Sequence, residues 1–159
     1  MTVQITDSLD IEGMHAMVAC DMFIELHPRI VRLSDEAAEE SCPGALSTAC
    51  HREFWASWAI KGGKLYLVDV IGRFVLVGEE PLFAEWYSGT IRAGAGKMLR
   101  RPTIGYGLCE RKIEIEVKDG IALHQREWRF YLSGNVIQAP PDAPPPYVGE
   151  LPSWIRKKQ

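Results

Sequence analysis

The sequence predicts a mainly β protein, with α+β as the alternative. About seven antiparallel strands are expected, in a small curled barrel or roll or, failing that, a sandwich, with one or two short helices. Three observations carry this. WASWAI (55–60) and KLYLVDV (64–70) are apolar runs joined by Lys61-Gly62-Gly63, which brings the glycine that tight hairpins need for positive φ. KIEIEV (112–117) alternates with period two and meets IALHQREWRFYL (121–132) across Asp119-Gly120, the strongest short hairpin signal. Helical patterning is confined to short stretches.

Residues 1–50 read as an irregular acidic segment, punctuated by His27-Pro28 and Cys42-Pro43-Gly44. Within it, Ser34 followed by DEAAEE has the N-cap and acidic first turn of a short helix. Residues 53–132 form the β body. Its first part, WASWAI, KLYLVDV and RFVLV, is expected as a three-strand meander. KLYLVDV is apolar on both faces apart from Asp69 and is placed near the middle of the sheet. EEPLFAEW (79–86) has Pro81 and two preceding glutamates where a helix begins, so one or two turns are expected. YSGTIRAGAGKMLRR (87–101) reads as two short strands around a glycine-rich turn. Residues 138–159 form a Pro-rich tail, with six of the ten prolines between positions 138 and 153. The 159 residues are read as a single domain.

The net charge of −3 is divided unevenly. Residues 1–50 hold nine acidic side chains against Arg29 and Arg32, a net of −7; the rest of the chain holds a net of +4. A docking surface for a basic partner is one reading of the acidic part, and a solvated face is the other. Nucleic acid is disfavoured, because its basic contacts must cluster and here only Arg100–Arg101 and Arg156, Lys157 and Lys158 do. No apolar run approaches the roughly 20 residues of a membrane span, and the first residues carry acids where an export signal needs bases. A cytoplasmic location is therefore expected, with reduced thiols. Cys20, Cys42, Cys50 and Cys109 lack zinc-knuckle spacing, so no metal or other cofactor is expected. A zinc site from Cys42, Cys50, Cys109 and a histidine is the alternative.

Candidate chemistry is sparse. Gly94-Ala95-Gly96-Lys97 lacks the frame and following Ser or Thr of a phosphate loop and reads as a turn. Asp69, inside an apolar strand, wants a cation such as Arg73 or Arg92. Paired with Glu85 it would make two carboxylates for acid–base work. Trp86 and Tyr87 leave a predicted helical turn close to Arg92, a combination found at interface hot spots and at ligand pockets alike. Hydrolase, kinase, dinucleotide-binding and metalloprotease motifs are missing, which weighs against an enzyme.

Thr48-Ala49-Cys50-His51-Arg52, Trp58-Ala59-Ile60, Lys64-Leu65-Tyr66-Leu67-Val68 and Pro81-Leu82-Phe83-Ala84-Glu85-Trp86-Tyr87-Ser88-Gly89 together resemble small bacterial proteins known as hypothetical open reading frames. That resemblance spans about residues 45–125 and implies a stand-alone bacterial domain. It carries no activity and no site residue. The expected function is protein interaction, of accessory or immunity type, with a protein partner or a second copy. The acidic segment, the Trp86–Tyr87–Arg92 rim and the tail are its expected contact surfaces. The rival is a small-molecule site at the mouth of the sheet, using Asp69, Arg73, Glu85, Arg92 and Tyr106.

Overall fold

The computed structural model describes residues 6–20, 22–47, 50–101 and 107–143. They form β1 (Ser8–Ile11), β2 (Met14–Val18), β3 (Ile30–Arg32), α1 (Asp35–Ser41), β4 (Phe54–Lys61), β5 (Lys64–Gly72), β6 (Phe74–Leu76), β7 (Leu82–Phe83), β8 (Gly89–Arg100), β9 (Leu108–Lys118), β10 (Ile121–Arg129), β11 (Tyr131–Ser133) and β12 (Val136–Gln138). The protein is mainly β, as its sequence predicts. Eight strands share one sheet in the order β10-β9-β8-β2-β1-β4-β5-β7, and one bridge, Ile121 to Lys64, returns β10 to β5. The sheet is thereby bent into a ring.

Both expected hairpins form. Gly62 and Gly63 have φ of 60° and 73°, and Asp119 and Gly120 have 50° and 78°. Two consecutive positive φ values give the turn whose twist matches paired strands. A third such turn, at Glu12 and Gly13, joins β1 to β2. Residues 1–50 are thus less irregular than their sequence implies, since β1 and β2 lie in the middle of the main sheet. Every pairing is antiparallel except β1 with β4. A parallel pair needs a long crossover, and residues 19–53, with β3 and α1, supply it. The helix starts where expected: Ser34 accepts from the Ala37 amide as N-cap.

Alternate residues turn inward. Leu9, Ile11, Ala16, Val18, Leu65, Leu67, Ile91, Ile113, Ile115 and Val117 are buried, and Trp58, also fully buried, belongs to the same cluster as the small residues Ala56 and Ala93. A smaller cluster of Leu108, Trp128 and Phe130, with Ala143 against it, covers the far end of β9.

Four expectations are corrected. RFVLV does not extend a meander, because β6 leaves β5 after Gly72 and pairs with β3. The stretch 79–86 is a bend, the short β7 and a turn rather than a helix; β7 takes up the free edge of β5 at Tyr66 and Leu67. Residues 89–100 form one long strand, and its glycines mark a bulge instead of a turn. Gly96, at φ 76°, sits where the register with β9 slips between Ala95 and Met98, and Glu110 accepts from the Lys97 amide there. Asp69 is exposed. Ser57 faces Asp69 while Trp58 faces Leu67, so Val68 is an extra residue that breaks the alternation and turns Asp69 outward.

Candidate functional site

The part of the molecule that presents unusual chemistry is the end of the ring where residues 22–27 cross residues 77–87. It is organised from a buried carboxylate. Asp7 continues the inward parity of Leu9 and Ile11, and its side chain is fully buried. A buried carboxylate has to be paired and hydrogen-bonded. Arg52 donates to it at 2.6 and 3.3 Å, the Trp58 indole at 2.9 Å and the Ala56 amide at 3.0 Å. The same guanidinium lies 4.6 Å from the Phe54 ring centroid and donates at 2.7 Å to the Met22 carbonyl.

Arg52 therefore ties the interior to the segment that follows β2. Phe23, one residue on, stacks on Tyr87 at 4.6 Å between centroids and 18° between planes. The Trp86 indole donates to the Phe23 carbonyl at 3.1 Å. Farther along, Arg29 donates from Nε to the Val77 carbonyl at 2.7 Å and from Nη2 to the Glu80 carbonyl. Residues 22–29, which carry no regular strand or helix before Ile30, are held at both ends. Between these ties Leu26 keeps 91% of its surface in water and Phe23 keeps 48%. Val77, across from Arg29, is 51% exposed. Glu25, Glu79, Glu80 and Glu85 are exposed around them.

Two thiols flank the carboxylate cluster. Burial, more than any charge, pushes the Cys50 thiol up to about 11, and it donates to the Phe54 carbonyl at 3.1 Å. Cys20 accepts from the Arg92 amide at 3.4 Å. Burial also holds the Tyr87 phenol well above its ordinary value. Burial thus keeps Cys50 and Tyr87 neutral near pH 7.

The residues singled out in the sequence are only partly brought together. Trp86 and Tyr87 do meet, with Trp58 6.0 to 6.4 Å from both by ring centroid. Tyr87 is buried, so it supports the rim from below. Arg92 lies on β8, 3.7 Å from Glu114 of β9. Arg73 does not pair with Asp69: it pairs with Asp35 at 2.6 Å and Glu53 at 2.9 Å and donates to the Leu33 carbonyl, tying α1 to the start of β6. Asp69 accepts from the adjacent Val70 amide, and Glu85 is exposed. Among the described residues no hydrogen bond or ion pair joins Asp69, Glu85, Arg73 and Arg92 to one another. Tyr106 lies outside the described residues. Phe23 and Leu26 were missed; the signal available was MFIEL (22–26), an apolar run without period ahead of His27-Pro28.

Among the described residues, two hollows lie elsewhere on the sheet. Ser8, Asp10, His15, Ser57, Lys61 and Val68 line an open groove of about 590 Å³ over β1, β2, β4 and β5. Thr90, Glu114, Glu116, His124 and Arg126 line a cleft of about 150 Å³ over β8, β9 and β10. Among the described residues no three His, Cys, Asp or Glu side chains converge as metal ligands, so the zinc alternative finds no such group there. No helix among them is long and apolar enough to cross a membrane. Comparison with protein-family models, with curated proteins and with solved structures finds no match.

Proposed function

We propose that the protein is an interaction module that binds a protein partner through the face made by residues 22–27 and 77–86, without catalysis of its own. The observation that supports this reading is the presentation of Leu26 and Phe23. Large apolar side chains are left in water on a segment that Arg52, Tyr87, Trp86 and Arg29 hold in place. An ordered apolar anchor loses little conformational entropy on binding, which is what distinguishes a docking surface from a loose loop. A half-buried tryptophan beside it fits the composition of interface hot spots. The test is a photo-crosslinking amino acid placed at position 26, and in a second protein at Glu40 on α1, both expressed in the native host. An adduct at position 26 and none at 40 is expected. Equal adducts at both positions, or none at 26, would overturn the reading.

The groove over β1, β2, β4 and β5 favours a second reading, a small-molecule site. Its volume lies within the ~300–1,000 Å³ typical of ligand pockets. A ligand there would raise the melting temperature of the wild type and raise it less in Ser57→Val, whose hydroxyl pairs with Ser8 at 3.1 Å.

A further inference from the structure

We infer that the face proposed above as a docking surface is filled by this chain's own segment 154–158, so that an external partner has to displace it; the inference rests on that reading. Its basis is chemical complementarity. The face combines exposed apolar groups, Phe23, Leu26 and Val77, with the exposed carboxylates Glu25, Glu79, Glu80 and Glu85. None of these four takes part in an ion pair among the described residues. The one arginine there, Arg29, spends its guanidinium on the carbonyls of Val77 and Glu80. A fitting occupant has one or two large apolar side chains followed by several positive charges and no negative one.

Trp154-Ile155-Arg156-Lys157-Lys158 has that composition, and no other stretch of the sequence sets two large apolar residues directly before three bases. The connection reaches the Tyr87 and Glu85 end of that face. Ala143 packs on the Leu108 cluster at one end of β9, whereas the Tyr87 carbonyl accepts from the Gly120 amide beyond the other end. The length of β9 from Leu108 to Val117 is about 30 Å. Trp154 lies eleven residue steps beyond Ala143, and a proline-rich chain covers about 34 Å in that number. The acidic helix α1 is a weaker match, because Glu36, Glu39 and Glu40 stand on a helix whose apolar residues are alanines.

Zero-length carbodiimide coupling of the full-length protein at low micromolar concentration tests this, with monomer and dimer bands separated before peptide mass spectrometry. Lys157 or Lys158 joined to Glu79, Glu80 or Glu85 in the monomer band is the expected result, at yields that fall severalfold in 1 M salt. Glu79→Lys with Glu80→Lys and Glu85→Lys should abolish those links. Adding Lys157→Glu and Lys158→Glu to that variant should restore links of opposite sense between the same positions. Coupling chiefly to Glu36, Glu39 or Glu40, links found in the dimer band alone, or no links would each overturn the inference. Absence of links while position 26 still captures a partner removes the internal occupant alone. Links formed while position 26 captures nothing remove the external partner alone.

Discussion

Asp7 shows what one buried charge does to its surroundings. Four donor contacts from Arg52, Trp58 and Ala56 converge on its two oxygens, and Arg52 then reaches the Met22 carbonyl. Removing one partner of such a pair leaves the other charge uncompensated. Asp7→Ala is expected to cost about 3 kcal/mol and to speed amide exchange in residues 22–27, whereas Asp7→Asn, which keeps the shape, should cost less. Urea midpoints with exchange mass spectrometry check both; a loss below about 1 kcal/mol for Asp7→Ala would mean the carboxylate is not the organising group. Cys50 gives a second prediction. Its thiol is pushed up to about 11 by burial, so the native state holds this proton more tightly than the unfolded chain, where a thiol ionises near 8.5. The associated stability is full below that pH and fades as pH rises toward 11. Cys50→Ala should flatten the alkaline limb of the stability curve, and native Cys50 should react with iodoacetamide more slowly than half-buried Cys42.

Among the elements, hairpins are where the chain was most legible and where its cost of change is sharpest. Gly62 and Gly120 both have positive φ, but a methyl on Gly62 meets open space, while one on Gly120 would sit 2.7 Å from the Ala84 carbonyl and 2.8 Å from the Phe83 ring. Gly62→Ala should cost about 1 kcal/mol from backbone strain alone, and Gly120→Ala about 3 kcal/mol, strain and overlap together. Equal losses in thermal unfolding would contradict this. Arg111 and Glu127 bind β9 to β10 through contacts of 2.6 and 3.0 Å, and hydrogen bonding from Arg111 holds the Glu127 carboxyl below its usual range. Their contribution is present above the unfolded carboxylate value and is lost as pH falls through the folded one. Glu127→Gln should therefore cost roughly 0.5–1 kcal/mol at pH 7 and progressively less as pH falls below the ordinary carboxylate range. Local signals such as Gly-Gly, Asp-Gly and the Ser34 cap were readable because neighbouring residues decide them. The β1–β2 hairpin was hidden because Glu12-Gly13 lies in a run read by its acidity, and the long β8 because two glycines in a strand look like a turn until Cys109 and Glu110 are seen packed against them. β7 and β6 were misread since their state is set by the free edges of β5 and β3, and neither edge belongs to the local pattern of the strand that pairs with it.

At the scale of the whole molecule the exposed side chains of the proposed docking face add little to the core, although the segment that carries them is tied to it through Arg52 and Tyr87. Trp86 and Tyr87 stood out in the sequence as an adjacent aromatic pair; their partner Phe23 is more than 60 residues away, and no local pattern connects them. Leu26 contributes little to the core, since 91% of it is already in water. Leu26→Ser should leave stability within about 0.5 kcal/mol yet weaken any complex made through this face. Trp86→Phe acts differently. It keeps an aromatic ring but removes the bond to the Phe23 carbonyl, so residues 22–27 lose one of their ties and must be ordered at the moment of binding. At about 1 kcal/mol for such a bond, the complex should weaken roughly fivefold, with faster dissociation and faster amide exchange in residues 22–27 of the unbound protein. Leu26→Ser should weaken binding with exchange unchanged. If both variants weaken binding while exchange stays at the wild-type rate, the rim works by contact alone and the holding of the segment is not part of its function.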